Sequence, residues 1–119
     1  MKDKCKQLSS MSINELAKHL PSFIEKEFNT SSYEKLDTAN HMAIDALINQ
    51  EKMSGESKVL YKKDMNGWRV YVVEKLGDAG RYMKDPRIIK VFSGEDKGFK
   101  CDNASYASFI RFIASNQNS

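Results

Sequence analysis

Asp37, His41 and Asp45 recur at every fourth position of one segment. On a helix this spacing stacks them on successive turns and offers an imidazole and two carboxylates to one cation. The same spacing also makes i,i+4 pairs that simply stabilise a helix. That reading is favoured, because no cysteine or second histidine stands where it would complete a ligand set. No metal or cofactor is therefore expected. Cys101 and His41 would make a thiol–imidazole pair only if the fold joined them, and nothing local does. A helix starting just after Cys101 would lower its thiol pKa. Ser32-Tyr33-Glu34-Lys35 has Ser-x-x-Lys spacing, but it sits at a helix-capping position without the accompanying motifs. Gly94 and Gly98 lack the Lys-Ser/Thr that completes a phosphate loop. These patterns argue against an enzyme.

A different constellation occupies the second half of the chain, where Lys62, Trp68, Arg69, Tyr71 and Tyr82 interleave cations with rings. Cations can neutralise phosphates while rings stack on bases. Aromatics with arginine are equally what interface hot spots are made of. Charge follows the same division. Residues 1–56 hold 7 basic and 9 acidic side chains and residues 57–119 hold 12 and 7, for a net of +3. So small an excess does not demand nucleic acid.

The elements that must position these groups follow from periodicity. Residues 1–10 are polar and are expected to fray. Ser12 and Glu15 have capping-box spacing, with Met11 and Leu16 as a hydrophobic staple. An amphipathic helix is then expected to run to Phe28, kinked or restarted at Pro21. After Asn29–Ser32, a second helix is expected over 32–52, with Tyr33, Leu36, Ala43, Ile44, Leu47 and Ile48 as its apolar stripe and Asn40 inside it. The short connection predicts that the two helices pack antiparallel. Asn66-Gly67 between two β-rich runs signals a two-residue hairpin, pairing Tyr61 with Val72, Asp64 with Arg69 and Met65 with Trp68. Val59, Tyr61, Met65, Trp68, Val70 and Val72 should share one face, and Leu60, Tyr71, Val73, Lys62 and Arg69 the other. Gly77–Pro86 reads as a loop and Arg87–Phe92 as a third strand. Phe99–Cys101 reads as a short fourth strand, and Asp102 or Asn103 as the cap of a last helix carrying Tyr106, Phe109, Ile110 and Ile113.

With 119 residues, 40% of them hydrophobic, the chain suits one α+β domain over 1–119. The expected architecture is two N-terminal helices, an antiparallel three- or four-stranded sheet with a central β-hairpin, and a C-terminal helix, all helices packed on one face. Two cysteines make no disulfide framework, and no apolar run reaches a membrane span or follows the basic N-terminus as a signal peptide would require. The expected location is cytoplasmic. The expected function is a small non-catalytic interaction protein of the inhibitor, immunity or regulatory-adaptor kind. Its partner would be a protein with an acidic surface, bound through Lys62, Arg69, Tyr71, Tyr82 and Trp68 on an open basic-aromatic sheet face. Nucleic acid on the same face is the alternative, and a homodimer through one sheet edge is a further reading.

Overall fold

The computed structural model describes residues 2–117, with side-chain burial described for residues 4–116. It is an α+β fold around one antiparallel sheet whose strands, β1 (Ser57–Met65), β2 (Trp68–Lys75), β3 (Arg87–Glu95) and β4 (Gly98–Ser105), lie side by side in chain order. Asn66 (φ 52°) and Gly67 (φ 88°) both take the left-handed conformation that a type I′ hairpin needs. The expected pairs Tyr61–Val72, Asp64–Arg69 and Met65–Trp68 form. Beyond Tyr61 the register shifts, because Leu60 is bulged between Val59 and Tyr61. A one-residue slip exchanges faces. Val59 therefore packs with Tyr71 and Val73, and Leu60 joins the opposite cluster, the reverse of expectation.

Helices cover both faces of the sheet, not one. Against the first face, Trp68, Val70, Val72, Ile89 and Val91 pack under Leu8 of α1 (Lys2–Ser9) and Leu16 of α2 (Ile13–Leu16). Leu20, Phe23 and Ile24 of α3 (Leu20–Glu27) and Tyr106, Phe109 and Ile113 of α6 (Tyr106–Gln117) complete that cluster. Against the second face, Tyr71, Val73 and Phe92 pack under Leu36 and under Ile44 and Ile48 of α4 (Thr38–Met53). The reason lies in β2. Its residues Trp68 to Val73 are all buried, so neither face of the central strands could be left to water without exposing Tyr71 and Val73. The two N-terminal helical regions consequently do not pack as an antiparallel pair.

Residues 33–37 make the crossing between faces and are extended, not helical as expected. Tyr33 packs edge-on to Trp68 at 5.8 Å on the first face, while Leu36 is buried on the second. No helical turn can serve both. The crossing is tied down by Gly94 N donating to Glu34 O at 2.7 Å and Leu36 N donating to Gly67 O at 2.8 Å. A Cβ on Gly94 would lie 2.6 Å from the Lys35 carbonyl, so only glycine admits the crossing segment. Helix α4 starts six residues later than expected, capped by Asp37, whose carboxylate accepts from Asn40 N.

At Pro21 the expectation holds, and two further elements differ from it. Pro21 sits in the first turn of a restarted helix after a 3₁₀ turn over Ala17–His19, one of the two outcomes its missing donor allows. The Gly77–Pro86 region contains a short helix, α5 (Gly77–Arg81). Residues 2–9 are helical, not frayed: Leu8 is buried and Cys5 packs on the first-face core. Arg87 fastens that helix, donating to Ser9 O at 3.1 Å and Ser9 Oγ at 2.7 Å while its guanidinium stacks 4.0 Å from the Tyr106 ring centre. A cation on the last carbonyls also complements the helix dipole. Leu8→Ala is expected to lower the unfolding free energy by about 2–3 kcal/mol in a urea titration. A frayed tail would make the substitution silent.

Candidate functional site

The face expected to be open for docking is interior. Tyr71 is 3% exposed, Arg69 5% and Trp68 4%. Trp68 points to the first-face core as expected, while Arg69 and Tyr71 lie on the second face beneath α4. Of the five nominated residues only Lys62 and Tyr82 are exposed. Tyr82, 84% exposed, caps α5 at the other end of β2 from Arg69. The nominated set therefore does not converge on one open surface. The expectation failed at one point: nothing in the local pattern showed that α4 would cross over and cover Tyr71.

What the second face holds instead is a buried cation with its anions at the rim. Arg69 Nε donates to Asp64 Oδ1 at 2.6 Å and Nη2 to Asp64 Oδ2 at 3.3 Å, a two-pronged pair across the β1–β2 register. Its Nη1 donates to Asp45 Oδ1 on α4. The same oxygen accepts from Tyr71 OH at 3.0 Å and from Lys62 Nζ at 3.3 Å. Lys62 Nζ also lies 5.9 Å from the Tyr71 ring centre. One carboxylate of α4 is thus clamped by three donors of the hairpin. Further along, Lys75 Nζ meets Glu51 at 3.3 Å, and Asn40 Nδ2 donates to Gly98 O at 3.1 Å. Asn40, whose place in the apolar stripe suits either a register-fixing amide or a partner-facing position, anchors α4 to the β3–β4 turn.

The electrostatics follow from these contacts. The hydrogen bond from Arg69, partly offset by burial, holds Asp64 below its ordinary range, helped by the charges of Arg69, His41 and Lys62. For Asp45, burial pushes upward but is outweighed by hydrogen bonds from Tyr71 and Lys62 and by the Arg69 and Lys62 charges, so it too is lowered. Burial lifts the Tyr71 phenol to about 12, with the Arg69 hydrogen bond opposing and that of Asp45 reinforcing. Tyr71 remains a neutral donor.

Asp37, His41 and Asp45 share α4 but not a ligand. Asp37 caps the helix and Asp45 is committed to Arg69, Lys62 and Tyr71. Among the described residues no group of three His, Cys, Asp or Glu side chains is arranged to hold a metal ion. His41 Nδ1 is buried without a hydrogen-bond partner there. Cys101 lies within β4, not before a helix, and burial raises its thiol pKa where a helix start would have lowered it. The last helix begins only at Tyr106, with Ser105 Oγ accepting from Ser108 N in place of the expected Asp102 or Asn103 cap.

The outward side of α4 is the surface that sequence reasoning missed. Ala39, Met42, Ala43, Ala46, Leu47 and Met53 are all exposed, Met42 at 68% and Met53 at 80%. Asn49 and Gln50 complete this outer side, and no charged residue interrupts it. Ala43 and Leu47, expected in the buried stripe, are on this side. The signal was present in the sequence, since α4 is apolar over more of its circumference than one sheet contact can use. Beside it runs a groove of about 490 Å³ between α4 and β1, with Ala46, Ile48 and Val59 in its walls and Lys52 and Lys62 at its margins.

Arg69→Ala is expected to cost about 2–3 kcal/mol in chemical denaturation, less than a fully buried pair because both aspartates remain hydrated. The pH dependence has a defined sign. Asp45 and Asp64 titrate lower when folded than when unfolded, so their stabilisation is present above about pH 4 and is lost as pH falls through the folded values. The thermal midpoint of Asp64→Asn should therefore fall less steeply than that of the native chain between about pH 4 and about pH 2. Parallel curves would contradict the assignment.

Among the described residues no helix is long and apolar enough to cross a membrane. No family model matches the chain, and neither a curated protein nor a solved structure matches it.

Proposed function

We propose that this chain is a small, non-catalytic, cytoplasmic binding protein of the inhibitor, immunity or adaptor kind, and that its partner is a protein engaged by the outer side of α4. The observation that carries this reading is the uninterrupted uncharged surface formed by Met42, Ala46, Leu47 and Met53. Exposed apolar side chains are ordinary when scattered. Here they share one uncharged side of one helix, with Asn49 and Gln50 between Ala46 and Met53, and flexible methionines among alanines suit a surface that must repack against another protein. Lys52 borders the same region, beside Lys62 with its own counter-ion Asp45, so the fitting partner segment is apolar with an acidic residue placed to meet Lys52.

Nucleic acid is disfavoured on the same grounds. Trp68 and Tyr71 are buried and unavailable for stacking. Arg69 and Arg87 spend their donors on Asp45, Asp64, Asp85 and Ser9. The polar clusters described above join elements to one another, and no nucleophile–base pair is among them.

The test is capture and identification of the partner with the native chain, followed by titration of that purified partner against Met42→Glu/Met53→Glu. Affinity is expected to drop about tenfold or more with an unchanged thermal midpoint, while Tyr82→Ala binds as the native chain does. Undiminished binding by the double variant would overturn the proposal. So would recovery of nucleic acid alone, with an affinity that falls steeply as salt rises.

A further inference from the structure

The two edges of the sheet are not treated alike. Edge strand β1 carries the Leu60 bulge and the side chains of Lys58, Lys62 and Lys63, devices that discourage pairing with another strand. Edge strand β4 has no bulge, and its one lysine, Lys100, lies two residues from the opposite charge of Asp102. Its eight residues pair with β3 without a register shift, it contains no proline, and among the described residues no other strand lies beside it. The Glu95–Gly98 pair closes the two-residue turn, so Gly98, Lys100, Asp102 and Ala104 exchange hydrogen bonds with β3 by the alternation of an antiparallel ladder. The same alternation turns the amides and carbonyls of Phe99, Cys101 and Asn103 toward the open edge.

The charges along that edge are self-complementary. Lys100 and Asp102 flank Cys101, and both project on the first face beside Tyr33. Lys100 Nζ lies 5.0 Å from the Tyr33 ring centre, and Asp102 Oδ2 accepts from Tyr33 OH at 2.8 Å. We propose that two copies of this chain pair antiparallel along β4, with the two-fold axis at Cys101. In that register Cys101 meets its own symmetry mate as a hydrogen-bonded pair, and Phe99 meets Asn103 on either side. Lys100 of each copy stands opposite Asp102 of the other, at the non-hydrogen-bonded positions where facing side chains approach most closely. A one-residue shift would set unpaired amides against each other, and a two-residue shift would separate the opposite charges. The charge pattern thus selects a single alignment and a closed, isologous dimer.

The pairing would join two four-stranded sheets into one. Because the axis stands perpendicular to the sheet, both copies of α4 would lie on the same side, presenting two equivalent outer surfaces. The dimer itself does not depend on what α4 binds.

Sedimentation equilibrium of the full chain under reducing conditions, from micromolar to millimolar concentration, tests this. The native chain is expected to approach twice its 13.6 kDa mass. Lys100→Asp and Asp102→Lys should each weaken the dimer about tenfold or more, since each sets like charges opposite one another twice. An equimolar mixture of the two single variants should recover the dimer mass, as should the double exchange Lys100→Asp/Asp102→Lys. If either charge variant fails to fold for want of its Tyr33 contact, Asn103→Pro decides, because it removes an edge donor at an exposed position. That variant should be monomeric. A native chain that stays monomeric to millimolar concentration overturns the proposal, as does a dimer that survives Asn103→Pro or is indifferent to both single exchanges.

Discussion

Arg69 is a guanidinium placed where the fold would otherwise put an apolar side chain, on the second face of the central strand β2, next to Tyr71. A buried cation without partners is untenable. Asp64, its cross-strand neighbour, supplies one anion from the hairpin itself. The other comes from Asp45 and requires α4 to lie across the sheet. The position of α4 therefore satisfies two demands together. It covers Tyr71, Val73 and Phe92, and it completes the coordination of Arg69. Because the hydrogen bonds must be met in a fixed geometry, they set where the helix sits; the apolar contact alone would tolerate sliding.

Arg87 does comparable work on the opposite face. It bridges Asp85, Ser9 and the Tyr106 ring, so the first helix, the start of β3 and the last helix meet at one side chain. In both places a planar, many-donor cation joins elements distant in sequence, a task that lysine's single point charge performs less well.

How much of this was legible in the sequence depends on the range of the interaction. Asn66-Gly67, the hairpin register near it, the α+β class and the last helix are written in local signals: turn conformations, alternation and the 3.6-residue period. Residues 33–37 are not, because Tyr33 and Leu36 have helical spacing with Ile44 yet serve opposite faces of the sheet. The Leu60 bulge likewise turned Val59 over with no composition signal to mark it. Residues 2–9 look polar because what holds them is Leu8 and an arginine nearly eighty positions away. Lys62, Arg69 and Tyr71 were recognised as a group and do form one, but as a clamp under a helix. Seeing that required knowing which surface the helix would choose.

With Trp68, Arg69, Tyr71 and Arg87 spent on internal fastening, the uncharged back of α4 is left for the outside. This allocation holds only if α4 is a permanent cover and not a lid that lifts to expose Tyr71 and Arg69. Residue-resolved native-state hydrogen exchange measures this directly. If the helix is integral, the amides of Ile44 to Ile48 should be protected to nearly the same free energy as those of Val70 to Val73, and both should respond alike to denaturant. Helix amides that exchange orders of magnitude faster than the strand beneath them, with no dependence on denaturant, would mean that the second face opens in the native state and that the surface assigned here to the interior is available for binding after all.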